Sequence, residues 1–331
     1  MDGFAVNEEK LRWLLKNASL QAKKSEESLN THDLNDAFGA SAWVVGDSKD
    51  RVINTHNYKV GRLDAGDQVY CAERLLLLDA GGRNHKGFIP LMAVVNNHVD
   101  HVTSAQYAMC GPCLNEIRSA VLGTHPTARM SLDSLVAFVS VKNGQSKVKV
   151  RSVGELMPHL TLNSSFKRSP WRLPIQVSPT AQQSPLIRAM PGWLFRGWIR
   201  IALWLAKQSA LWANHLGKQQ GKGPSLGSVV LAPTWYGFRP YIAHNAYTKK
   251  RDYKPPLIRA VDSLSKTIRR RLTAGVLVST KPETNVLNFE DLESLAYSTK
   301  KKDSCLVITA NDQGIQVRTY ADYVPYAYYR S

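Results

Sequence analysis

Acidic side chains are scarce in this chain: 26 Asp and Glu stand against 43 Lys and Arg, a formal net charge of +17. Cysteine is scarcer still, with four in 331 residues. So few thiols exclude a disulfide-stapled scaffold of the secreted kind, and their clustering points to a reducing compartment. No apolar stretch reaches the roughly 20 residues that cross a bilayer. The first residues, Met1-Asp2-Gly3-Phe4 with Glu8 and Glu9 close behind, lack the basic and apolar blocks of a signal or transit peptide. The expectation is a globular, cytoplasmic protein with no membrane partner, long enough for two domains of ordinary size.

Three of the four cysteines fall in two short fragments, Cys71-Ala72-Glu73-Arg74 and Cys110-Gly111-Pro112-Cys113. Zinc takes tetrahedral sulfur and nitrogen donors, and a catalytic site keeps three protein donors and leaves the fourth place to water. Cys71, Cys110 and Cys113 supply three. In a Cys-x-Glu step at the start of a helix, Glu73 points at the same open place, where it serves as a proton shuttle and not as a ligand. A Cys-x-x-Cys pair opening a second helix grips the metal where the helix N-terminus favours negative charge. A thiolate-held zinc beside a carboxylate is the equipment for adding water to an aminopyrimidine ring, which points to hydrolytic deamination.

At these residues the chain resembles the cytidine deaminase family in its three-cysteine form, whose signature reads Cys-Ala-Glu-Arg and then Pro-Cys-Gly-x-Cys. The resemblance implies a Zn2+ cofactor and a role for Arg74, which in that family donates hydrogen bonds to the thiolates and restores the electrophilicity of the metal. It also implies that the Ala72 backbone contacts the base. The family holds the ribose with an Asn-x-Glu upstream of the first ligand, and the candidate here is Asn57-Tyr58-Lys59, with a cation in place of the carboxylate. Met109 replaces the family's proline, and Leu114-Asn115 replaces its Arg-Gln.

A closed structural zinc site is the competing reading, with His98 or His101 as a fourth ligand. Such a site has no use for Glu73 and Arg74. Cys305, in the run Cys305-Leu306-Val307-Ile308, reads as a buried strand residue.

The charge is uneven. Residues 166–331 hold 25 Lys and Arg against 9 Asp and Glu, or +16, which leaves +1 for residues 1–165. Basic clusters at Lys249-Lys250-Arg251, Arg269-Arg270-Arg271 and Lys300-Lys301-Lys302 have aromatics nearby at Trp235, Tyr236, Phe238, Tyr241 and Tyr247. Such a surface attracts polyanions and stacks bases, or it is a solubilising face over core aromatics.

The chain repeats itself. Val150 to Pro158 aligns with Val317 to Pro325 at an offset of 167, each behind a turn signal and a β-rich run. The helix pattern Leu11, Leu14, Leu15, Ala18 and Ala22 has a partner in Ile201, Leu205, Ser209 and Ala213, followed by strands at 40–45 and 228–232. The tryptophan-rich, partly basic stretch 193–216 resembles a surface-binding helix in composition, but as the first helix of the second copy it reads as packed on its sheet or between domains. The expected fold is α/β: tandem three-layer α/β/α domains like cytidine deaminase, each with a mixed sheet of about five strands. The expected division is a catalytic zinc domain over 1–165, a linker over 166–191, and a basic, degenerate copy without a metal site over 192–331. By resemblance the whole is a homodimeric deaminase of cytidine, deoxycytidine or a related nucleoside or nucleotide. The alternatives are a deaminase acting on cytosine in RNA or single-stranded DNA, and a zinc-bearing binding protein without catalysis.

Overall fold

The computed structural model describes residues 7–29, 37–46, 49–60, 68–81, 85–96, 109–142, 145–161, 163–218, 225–234, 237–245, 256–264, 274–279, 288–289, 291–293, 295 and 305–325. The chain divides into two compact units, one ending at Pro158 and one spanning His159–Pro325.

The first unit runs α1 (Glu8–Leu29), β1 (Phe38–Val45), β2 (Arg51–His56), β3 (Tyr58–Val60), β4 (Gln68–Tyr70), α2 (Ala72–Asp79), β5 (Gly87–Asn96), α3 (Gly111–Val121), β6 (Ala128–Arg129), β7 (Leu135–Lys142), β8 (Gln145–Ser152) and α4 (Val153–Leu156). Its sheet has the order β2-β1-β5-β7-β8, with β6 alongside β5. The β5 and β7 strands are parallel, whereas β2/β1, β1/β5 and β7/β8 are antiparallel. Asn7 caps α1 by accepting the amides of Glu9 and Lys10. The helix lays Leu14, Ala18 and Ala22 on Leu91, Ala93, Val95 and Ala137 of the sheet. The approach is close enough that a Cβ on Gly39 would meet Ala18 O and Ala22 N at 2.2 Å each. Ala40, Ala42 and Val44 are buried on the opposite face of β1, the one α2 covers, so the central strands are apolar on both sides.

The second unit runs β9 (Ile175–Val177), α5 (Pro179–Gln182), α6 (Pro185–Arg188), α7 (Gly192–Lys218), β10 (Leu226–Thr234), β11 (Gly237–His244), α8 (Pro256–Asp262), β12 (Ala274–Ser279), β13 (Leu306–Asn311), β14 (Gly314–Thr319) and α9 (Tyr320–Tyr323). Its sheet order, β11-β10-β12-β13-β14-β9, repeats the first strand for strand, with the same single parallel pair in the middle, and then adds β9 parallel to β14. Gly227 lies under Ala206 and Ala210 as Gly39 lies under Ala18 and Ala22, all at an offset of 188. Both copies close on a capping box, Ser152 with Glu155 and Thr319 with Asp322, at the expected offset of 167.

Two expectations need correction. Each of these two sheets has six strands and not five, because the short β6 pairs the start of the central strand β5 and β9 joins the edge at β14. Residues 166–191 are not a bare linker: Phe166, Leu173 and Ala181 are in the second core and Ile175–Val177 pair with Ile315–Val317. The α7 register also shifts, since its buried face carries Ile199, Ala202, Leu203, Ala206, Ala210 and Ala213, whereas Ile201 and Leu205 are only partly covered.

Candidate metal centre

Two helix starts meet to form the site. Cys71 is the N-cap of α2 and Cys110 the N-cap of α3, both in extended backbone, and neither cysteine side chain bonds the first amides of its own helix. Cys113 sits in the first turn of α3, after a proline whose missing N–H costs nothing there. The Cys71 and Cys110 sulfurs are 3.7 Å apart and those of Cys110 and Cys113 3.2 Å, and all three lie within 4.8 Å of one another. A tetrahedral ion with bonds of about 2.3 Å to sulfur sets its donors about 3.8 Å apart, so the triangle matches a zinc-sized cation. Among the described residues no other group of this kind occurs.

The electrostatics agree with that donor set. Hydrogen bonds from Cys110 and Cys113 pull the Cys71 thiol down to about 5, and the Arg74 charge adds to this. Cys110 is pushed up to about 12: its bond with Cys113 works in the lowering direction and is outweighed by the bond with Cys71, burial and the Cys71 charge. Bonds with Cys110 and Cys71, then burial, raise Cys113 well above an ordinary thiol. The cluster alone thus accommodates one thiolate, and a cation is what would draw off the remaining protons.

Glu73 is buried in the first turn of α2, and burial, followed by the Cys110 charge, raises its carboxyl to about 7. It faces the sulfurs, with Cys113 in hydrogen-bond contact. Arg74 is placed differently from the family pattern. Its guanidinium pairs with Glu116 Oε1 at 3.5 Å and acts on Cys71 by charge through space. Glu116 also faces His125 Nε2 at 3.4 Å. The His125 Nδ1 accepts the amides of Thr127 and Ala128, which assigns the ring proton to Nε2, toward the carboxylate. Sequence reasoning missed Glu116 and His125. The available signal was the i+3 spacing of Glu116 from Cys113, which puts both on one side of α3.

Asn57 and Ala72, the two expected substrate contacts, contact each other. The Ala72 amide donates to Asn57 Oδ1, and the Ala72 carbonyl accepts from Thr55 Oγ1 at 2.7 Å. Ser25 Oγ donates to the Asn57 carbonyl at 2.9 Å. In this arrangement Asn57 ties the end of β2 to the head of α2, and both backbone groups of Ala72 are engaged within the protein. His98, His101 and the three basic clusters lie outside the described residues.

The second unit has no counterpart to the cluster among its described residues. Its α8 begins at Pro256, and Cys305 is buried at the foot of β13, where its carbonyl accepts the Tyr320 amide.

No protein-family model matches the chain, and no curated protein does. Among solved structures, a cytidine deaminase from Burkholderia pseudomallei is similar over 45% of this chain and 96% of its own, at 24% identity and a TM-score of 0.28. A likeness of that strength assigns no role to any residue.

Proposed function

We propose that the first unit is a zinc-dependent hydrolytic deaminase that converts cytosine to uracil in cytidine, deoxycytidine or a related nucleoside or nucleotide. The observation that supports it is a buried carboxylate, Glu73, set against three converging cysteine sulfurs at the starts of two helices. Cys71, Cys110 and Cys113 would hold the ion, which would supply Lewis acidity to the attacking water. Glu73 takes a proton from the water that adds to C4 of the ring, passes it to N3, and moves the second proton to the amino nitrogen, which departs as ammonia. A closed structural site would have no use for a buried carboxylate there.

Arg74 limits the negative charge that three thiolates place on the cation, and Glu116, backed by His125, fixes where that guanidinium stands. Asn57 holds the head of α2, so that Glu73 and Cys71 keep their relative positions.

The test is ammonia release from cytidine by the zinc-loaded protein and by Glu73→Gln. The variant keeps its zinc and fold and loses turnover by at least roughly 10²–10⁴-fold. Equal turnover in the two proteins would overturn the reading.

The +16 carried by residues 166–331 favours a second reading, in which the cytosine belongs to RNA or single-stranded DNA. In that case substrate affinity falls with salt, by about 0.7 log units per log unit of salt for each phosphate neutralised on a single strand. Free cytidine releases no counterions and shows no such slope.

A further inference from the structure

The internal repeat provides a control for its own longest helix. α7 and α1 occupy the same place on equivalent sheets, with Ala206 and Ala210 meeting Gly227 as Ala18 and Ala22 meet Gly39. Carried to the outward face at the same offset of 188, that correspondence pairs Lys16 with Trp204, Lys23 with Leu211 and Lys24 with Trp212. The three lysines are exposed, as a solvated helix face requires. Their α7 counterparts are exposed as well: Trp204 by 48%, Leu211 by 45% and Trp212 by 59%, with Trp193 at 76%. Packing a helix on this sheet does not call for apolar residues there, because α1 packs in the same way with lysines. α1 does expose Trp13 and Leu20, but among lysines and four glutamates.

The α7 residues form a row. Trp193, Arg200, Trp204 and Leu211 follow at intervals of seven, four and seven residues, which keeps them on one line about 27 Å long. Trp212 lies beside it. The 27 residues of α7 include Arg196, Arg200, Lys207 and Lys218 and no acidic residue; Lys207 Nζ is turned onto the Phe166 carbonyl and Arg200 Nε donates to the Pro170 carbonyl, whereas Arg196 is exposed.

We propose that this face of α7 docks on an anionic lipid surface. A helix lying in the interface plane sets indole rings at the headgroup level and basic side chains against lipid phosphates. No helix among the described residues is long and apolar enough to cross a membrane, so the contact is peripheral. Packing on the sheet explains the buried face and leaves the outer row unexplained. A second copy of the same face would bring basic residues together with no acid on the helix to pair them. A single nucleic-acid strand stacks neighbouring bases on neighbouring rings, whereas Trp193 and Trp204 are about 16 Å apart along the axis, against about 3.4 Å per nucleotide in a duplex strand. A flat surface takes the whole row at any spacing.

The test uses the full-length chain with sedimented vesicles of phosphatidylcholine alone and of phosphatidylcholine mixed with phosphatidylserine. The protein pellets with the phosphatidylserine vesicles, less so at high salt. The triple variant W204K/L211K/W212K gives α7 the residues that α1 carries, so its helix is compatible with the fold. It adds three positive charges, so attraction by charge alone would strengthen binding. The expected result is a loss of more than about tenfold in vesicle partitioning. Single Trp204→Lys shows part of that loss and Trp204→Phe little of it, which keeps the test decisive if the triple variant misfolds. Failure of the native chain to pellet, or undiminished pelleting of a folded triple variant, overturns the proposal. So does a cytosine-rich single strand, or self-association without vesicles, that depends on these residues while vesicle binding does not.

Discussion

Replacing Asn57 by Ala asks whether the head of α2 is held by the protein or left for a substrate. The side chain is buried, and its Oδ1 accepts the amide of Ala72, the residue between Cys71 and Glu73. Alanine takes that acceptor away and leaves a buried N–H without it, a loss of about 1–3 kcal/mol. In a unit of this size each kcal/mol moves the melting point by roughly 2–4 °C, so a loss near the middle of the range lowers it by roughly 4–8 °C. Because Cys71 caps the same helix, zinc should also leave faster to a chelator. Asn57→Asp keeps an acceptor oxygen and should lose less stability by this route. The assays are thermal melting, zinc release and steady-state kinetics on cytidine. An Asn57 that served only as a sugar contact would raise KM with kcat, melting point and zinc retention unchanged. That result for Asn57→Ala would refute the role assigned here.

Other outcomes follow from the same geometry. Cys110→Ala or Cys113→Ala should take zinc content from one per chain to a small fraction by metal analysis and destabilise the first unit, since metal binding is coupled to folding. Glu116→Gln should weaken the hold on Arg74 and speed zinc release to a chelator while leaving melting of the second unit unchanged. In the second unit, burial works to raise the Asp322 carboxyl, but bonds from Thr180, Ser178 and Thr319 outweigh it and hold the group below its ordinary value. The stability it contributes is present above the ordinary carboxylate range and is lost as pH falls through the depressed value. Melting against pH should show that decline and Asp322→Asn should flatten it. A homodimer is expected by light scattering, and a monomer across micromolar concentrations would contradict it.

The cysteine triangle was legible because metal spacing is a local signal: three cysteines in two fragments are enough to place both helix starts. The ends of the repeat were legible for a similar reason, since the boxes at Ser152 and Thr319 keep one offset. The middle was not, because the offset changes along the chain. The strand registers pair Gly39 with Val95 and Gly227 with Val278, which makes it 183 at β5 and β12, and the next neighbours make it 171 at β7 and β13. The second copy is thus 12 residues shorter in the crossover that holds α3 and its two cysteines in the first. The α7 register was half legible: Ser209 and Ala213 are buried as the pattern required, whereas the small Ala206 and Ala210 that pack on Gly227 were passed over for the partly covered Ile201 and Leu205. The Glu116–His125 contact had no sequence signal of its own, because only the fold brings the loop after α3 back to that helix.

The pairing of β9 with β14 sets an order of assembly. Ile175 meets Ile315 across 140 intervening steps of chain, whereas the last strand of the first sheet ends at Ser152, close to the rest of its unit. During synthesis the first unit can finish its sheet and bring its cysteines together while the second still lacks its outermost pair of strands. Until residues near 315 emerge, the apolar sides of Ile175 and Val177 have no sheet edge to join, and the underside of α7 lacks part of its floor. Long-range closure of this kind is slow and leaves apolar surface open to wrong partners. The second half therefore keeps this apolar surface open until its last strand is made, whereas the residues given the proposed chemistry lie in the half whose strands are all made by Ser152.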